Sequence, residues 1–220
     1  MTTQVLFIRH GETEWNRIKR IQGHIDIPLA SSGVAQAGQL AERLVRESKS
    51  GARLDAVYSS DLRRAQQTAQ PFADALGLSL QLREGLRERW YGEFQGHDSE
   101  EIRAKYPAEY KTWQSHDPDF QPPGGESQRA FYQRVMRAVA PIVAAHPDGR
   151  IACVAHGGVL DCIYRFASES PLDTPRGWLL LNSSINVVDY NDGVANVVLW
   201  GDVAHLSTTS SDDDLKEVPR

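Results

Sequence analysis

Two short runs of unbroken apolar residues constrain the fold of this chain more than anything else in it. Val5-Leu6-Phe7-Ile8 leads into Arg9-His10-Gly11, and Ile151-Ala152-Cys153-Val154-Ala155 leads into His156-Gly157-Gly158. Runs this short and this uniformly apolar suit strands buried on both faces, which is the pattern of a parallel sheet covered by helices. The intervening segments supply those helices. Ala37, Leu40, Ala41, Leu44 and Val45 form one stripe at i, i+3, i+4, i+7, i+8, opened by Ser32-Gly33 and ended by the basic, Ser- and Gly-containing stretch 49–53. Phe131, Val135, Ala138, Val139, Ile142 and Val143 form a second in a helix from Ser127, and Gly158–Phe166 reads as a third.

Ala56-Val57-Tyr58 is a further short strand, with Ser59-Ser60-Asp61 expected to cap a helix from about Leu62 that Pro71 should kink or split. Leu80–Leu82 is a candidate strand. Ile185–Tyr190 and Val194–Trp200 read as strands joined by the turn signal Asn191-Asp192-Gly193. Strands alternating with helices predict an α/β layer architecture.

Residues 1–206 are expected to form a single catalytic domain, with a polar tail from 207 to 220 read as disordered. Between 84 and 127 the periodicity dissolves into Pro107, Pro118, Pro122, Pro123 and Gly124-Gly125, with helical pieces at Glu100–Lys105 and Ala108–Gln114. A long irregular connection inside a domain is expected to be a functional lid.

Composition narrows the partners. The net charge is −5 and no Lys/Arg block resembles a nucleic-acid footprint, so small molecules are the expected ligands. No signal peptide and no apolar stretch of membrane-spanning length are present, and the expected location is cytoplasmic. The two cysteines, Cys153 and Cys162, sit in apolar surroundings and read as small core residues. Asn182-Ser183-Ser184 matches a glycosylation sequon, which carries no meaning without a secretory signal. The hairpin with Trp200 offers an edge for a homodimer.

Each of the two main strands ends on His–Gly. In open α/β sheets ligands bind beyond the carboxyl ends of strands, where the strand order reverses. Two histidines delivered to that edge are placed to meet, and glycine lets backbone N–H groups approach an anion. Either His–Gly alone would read as a hydrogen-bonded structural residue; the matched pair, the first preceded by Arg9, argues for a site. The seven histidines show neither HExxH nor a Cys/His spacing suited to zinc, and no Asp cluster suits magnesium, so neither metal nor cofactor is expected.

The chain resembles the histidine phosphatase superfamily, which includes the cofactor-dependent phosphoglycerate mutases. The matching blocks stand in order as RHGETEWN (Arg9–Asn16), GHIDIPL (Gly23–Leu29), SSDLRRAQQTA (Ser59–Ala69), LRERWYGEFQG (Leu86–Gly96), PGGES (Pro123–Ser127) and VAHGGVL (Val154–Leu160). The resemblance implies a phosphoglycerate mutase-like fold, a three-layer sandwich with a mostly parallel central sheet flanked by helices. It also implies roles. His10 would be the nucleophile, Arg9 and Arg64 would grip the phosphoryl oxygens, and His156 would donate to the same group beside Gly157 N–H. Asn16 would add a neutral amide donor, with Thr13, Gln22 and Gly23 lining the pocket. Arg64, not Arg63, fits the family's Ser-x-Leu-x-Arg-Ala pattern, and adjacent helical residues point about 100° apart. Glu88, in a Leu-x-Glu-Arg-x-x-Gly setting, would be the acid and then the base.

The activity so implied is metal-independent hydrolysis of small phosphate monoesters through a phosphohistidine. The alternative is a phosphoglycerate mutase. Mutases of the superfamily carry a longer, strongly basic segment over the site, whereas here only Arg89, Arg103, Lys105 and Lys111 lie between Glu88 and PGGES. A catalytically silent phospholigand-binding protein would have lost part of the constellation, and Arg9, His10, Arg64, Glu88 and His156 are all present. Trp90, Tyr91, Phe94, Tyr106 and Trp113 are expected to shape the substrate pocket.

Overall fold

The computed structural model describes residues 1–207. The tail read as disordered lies outside the described residues except for Ser207, whose hydroxyl accepts from Gln39 Nε2 at 2.6 Å. Six strands form one sheet in the order β3-β2-β4-β1-β5-β6: β1 (Thr2–Arg9), β2 (Ala56–Ser59), β3 (Leu80–Leu82), β4 (Arg150–Ala155), β5 (Ile185–Asn191) and β6 (Val194–Asp202). Strands β1 to β4 run parallel, and β5 pairs antiparallel with both β1 and β6.

The unbroken apolar runs are explained by helices on both faces. Val5 and Phe7 of β1, with Ile151, Cys153 and Ala155 of β4, pack against α6 (Gln128–Ala144) and α7 (Gly157–Ala167). Leu6 and Ile8, with Ala152 and Val154, pack against α2 (Ser31–Lys49) and α3 (Arg63–Leu76). Each strand side chain is therefore fully enclosed whichever way it points, and the larger ones, such as Val5, Leu6, Phe7 and Ile8, each contribute roughly 1.5–3 kcal/mol by burial. Both cysteines are buried and free, and burial pushes the Cys153 thiol up to about 12.

Two local expectations are corrected. Of the two outcomes expected at Pro71, the split does not occur: α3 runs unbroken from Arg63 to Leu76, with Pro71 on its exposed side. Nor does the Ser59-Ser60-Asp61 run supply the N-cap of α3. Its N-cap is Leu62, whose side chain has no acceptor, and the N–H of Arg63 in the first turn is met instead from a distant segment by Asp26 Oδ1 at 2.6 Å.

The topology decides where a ligand can sit. From β1 the chain crosses through α2 to β2, and from β4 it crosses through α7, on the opposite face, to β5. The neighbouring strands β1 and β4 thus send their continuations to opposite sides of the sheet, leaving a crevice beyond their carboxyl ends.

Candidate active site

All four parallel strands deliver chemistry to that crevice. Beyond β1 come Arg9 and His10, beyond β2 Ser60 and then Arg64 in α3, beyond β3 Glu88, and beyond β4 His156 and Gly157. A cavity of about 680 Å³ opens here, lined among others by Arg9, His10, Asn16, Arg64, Glu88 and Gly157.

His10 is 3% exposed. Its Nδ1 lies 2.7 Å from the carbonyl of Gly11, an oxygen that can only accept, so the ring proton is on Nδ1 and Nε2 keeps its lone pair. Burial, then the charges of Arg64 and Arg9, hold its pKa well below the ordinary imidazole value. The ring is neutral at pH 7, the state a nucleophile requires.

Arg64 is fully buried on the first turn of α3, while Arg63 beside it is exposed. The Arg64 guanidinium donates to the carbonyls of Gly23 (2.7 Å) and Ile25 (3.1 Å), and burial draws its pKa down to about 10, still charged at neutral pH. Arg9 Nη1 donates to the Leu180 carbonyl. Two permanent cations thus flank His10.

His156 is fully enclosed, its ring centroid 5.2 Å from that of His10, and it does not itself line the cavity. Nε2 is 2.8 Å from Ser60 Oγ, and Nδ1 has no hydrogen-bond partner among the described residues. Burial, with Arg64 and then His10 adding to it, keeps this ring neutral as well.

Glu88 Oε2 accepts from Gly158 N (3.0 Å), one of the unpaired N–H groups at the start of α7, and Oε1 accepts from Arg89 N (2.7 Å). A methyl group at position 158 would lie 2.2 Å from Oε1, so glycine is what admits the carboxylate. The Glu88 carbonyl is held from behind by His24 Nε2 (2.7 Å) and Arg134 Nη2 (2.9 Å).

Asn16, Gln22 and Gly23 line the cavity. Asn16 Oδ1 accepts from Thr13 N (3.0 Å) and Thr13 Oγ1 (2.9 Å), which leaves its amide NH₂ as the end available for a ligand. Thr13 itself is a correction: it is fully buried and caps the short helix α1 (Glu14–Arg17) instead of lining the pocket. Of the five aromatics expected to shape the pocket, Tyr91 and Trp113 line it. Phe94 is buried among Tyr106, Trp113 and Phe120, and Trp90 donates to the Gly124 carbonyl.

Lys19, Arg20, Arg165 and Arg176 also line the cavity and were not anticipated. None lies between Glu88 and PGGES, so counting cations in that segment did not measure the charge of the cavity. Arg165 pairs with Asp161 (2.8 Å), four residues before it on α7, a spacing that could have signalled the pair but not the direction it faces. Among the described residues, no group of three or more His, Cys, Asp or Glu could hold a metal ion, and no helix is long and apolar enough to cross a membrane.

Residues 5–203 match the family model of the histidine phosphatase superfamily, branch 1. Phosphoglycerate mutase-like protein 4 of Arabidopsis thaliana is 40% identical over 209 residues, 94% of this chain and 88% of that protein. A metal-independent phosphoserine phosphatase of the same plant is 38% identical over 208 residues, 94% of this chain and 84% of that protein. Among solved structures, Bacillus stearothermophilus YhfR superposes with a TM-score of 0.83 at 31% identity, covering 92% of this chain and 98% of that one.

Proposed function

This chain belongs to the histidine phosphatase superfamily, and from that premise we propose that it hydrolyses phosphate monoesters of small metabolites through a phosphohistidine on His10. The observation that carries the reading is the state of His10: neutral, its proton held on Nδ1 by Gly11, and flanked by two buried guanidiniums.

In the first step Nε2 attacks phosphorus and the ester P–O bond breaks. Arg9 and Arg64 neutralise charge on the equatorial oxygens, and the Asn16 amide adds a neutral donor. His156 supports the same group. In that role its proton sits on Nδ1, the nitrogen without a hydrogen-bond partner among the described residues, and Nε2 accepts from Ser60 Oγ, which also accepts from Leu62 N (3.3 Å). Glu88, protonated, gives its proton to the departing alkoxide. In the second step the Glu88 carboxylate takes a proton from water, the water oxygen attacks phosphorus, and the P–N bond breaks to release inorganic phosphate and free His10. The segment 84–127 acts as the lid, with Tyr91 and Trp113 on the cavity wall. One relative is named a metal-independent phosphoserine phosphatase, which supports hydrolysis without a metal.

A mutase is the second reading, favoured by the four cations that line the cavity from outside the lid and by the name of the mutase-like relative. One assay separates the two. With 3-phosphoglycerate, with and without 2,3-bisphosphoglycerate, a phosphatase releases inorganic phosphate without the primer, whereas primer-dependent isomerisation that far outruns phosphate release establishes the mutase. In the hydrolytic reading Glu88→Gln slows turnover of an alkyl ester about a hundredfold, and slows phosphorylation by nitrophenyl phosphate much less, since that leaving group needs no proton.

A further inference from the structure

The sequon Asn182-Ser183-Ser184 is beyond the reach of any glycan, since all three residues are 0% exposed. Polar side chains buried this deeply are costly unless they serve as hydrogen-bonding groups. Asn182 Nδ2 donates to the carbonyl of His10 at 3.0 Å, and Ser183 N lies 3.1 Å from the Arg9 carbonyl and 3.3 Å from that of His10. Ser183 holds a left-handed backbone with φ of 55°, a conformation serine seldom adopts, so that its N–H and the preceding side chain converge on the same carbonyl.

We propose that Asn182 is a positioning residue for His10, acting from behind β1. The inference rests on His10 being the nucleophile. His10 N donates to Ala155 O (2.9 Å) and Gly11 N donates to Thr68 Oγ1 (2.9 Å). With Asn182 and Ser183 on the Arg9 and His10 carbonyls, both peptide groups flanking His10 are held on both sides. The imidazole hangs from this fixed backbone and is tied to it again by Nδ1–H to Gly11 O. Asn182 thereby sets where Nε2 meets phosphorus through the His10 backbone, from a position outside the cavity lining.

Asn186 is the control. It is equally buried and also donates to a β1 carbonyl, that of Phe7 (3.0 Å), three residues before the nucleophile. Substrate labelled in its phosphoryl group is mixed rapidly with the enzyme, and the rate of label transfer to His10 is followed. Asn182→Ala is expected to slow transfer roughly tenfold to a hundredfold, with the inhibition constant of inorganic phosphate changed by less than about twofold because Arg9 and Arg64 still hold it. Asn186→Ala is expected to lower the melting temperature comparably yet transfer label within about twofold of the unmodified rate. Should Asn182→Ala not fold, Asn182→Ser is read the same way. Transfer by the Asn182 variant at the unmodified rate, or an equal loss in Asn186→Ala, overturns the inference. Label that never appears on His10 of the unmodified protein overturns the nucleophile assignment and this inference with it.

Discussion

The exits of β1 and β4 look alike in sequence, each a buried strand ending on His–Gly, and they are used in opposite ways. At the first, His10 has Nδ1 tied to its own neighbour and Nε2 free of such a bond; at the second, His156 has Nε2 tied to Ser60 and Nδ1 without a partner among the described residues. The first strand runs on through a loop before α1, so its histidine reaches the cavity. The second turns straight into α7 with His156 as N-cap, so its ring is enclosed. Equal motifs acquire unequal roles because the same Nδ1–H tautomer leaves His10 Nε2 facing the cavity, whereas in His156 that nitrogen is taken up by Ser60.

The largest expected effect breaks the comparison outright if it fails. His10→Ala should lose turnover by about a thousandfold or more and carry no acid-labile, alkali-stable label. His156→Ala should still become labelled, about a hundredfold more slowly. Label retained in His10→Ala would exchange the two roles.

The glycines after the histidines sharpen the contrast. A Cβ at Gly11 would lie 2.7 Å from the Gly33 carbonyl, a backbone atom that cannot swing away. Gly11→Ala should therefore cost stability, about 1–3 kcal/mol in denaturant unfolding. A Cβ at Gly158 meets the end of the Glu88 side chain at 2.2 Å and the buried Phe131 ring at 2.9 Å, so Gly158→Ala should also cost about 1 kcal/mol. Unlike Gly11→Ala, it should displace the carboxylate and lose about tenfold in alkyl-ester turnover. Similar losses of both kinds in both variants would show that the two exits are not functionally distinct.

The smallest effect concerns protons. Both histidines have folded-state pKa values below the unfolded value of 6.5. Below about pH 6.5 the unfolded chain takes up protons that the folded chain refuses, so their contribution is complete above that pH and is lost as pH falls. Each histidine adds at most about 1.4 kcal/mol per pH unit to this slope. Unfolding followed between pH 7.5 and 5.5 should show a shallower loss for His156→Gln than for the unmodified protein; parallel slopes would mean that His156 is charged in the fold.

The sequence by itself determined the layers and the edge at which the chemistry collects. Unbroken apolar runs need cover on both faces, periodic stripes supply it, and the residue that follows a parallel strand lies at the sheet's carboxyl edge whatever else the chain does. Arg9, His10 and His156 were legible for that reason, and Arg64 and Glu88 through their spacing within family blocks. Only the tertiary structure decided what those residues touch. Thr13 and Asn16 are three residues apart, yet one caps a helix and the other lines the cavity. Lys19, Arg20, Arg165 and Arg176 come from separate segments to one cavity wall, and Asn182 reaches His10 across 172 positions of sequence. Local pattern encodes which face of an element is buried, because that follows from a period of two or 3.6 residues. It does not encode which group from a distant segment arrives to share a hydrogen bond, because that depends on how the packed layers bring the segments together.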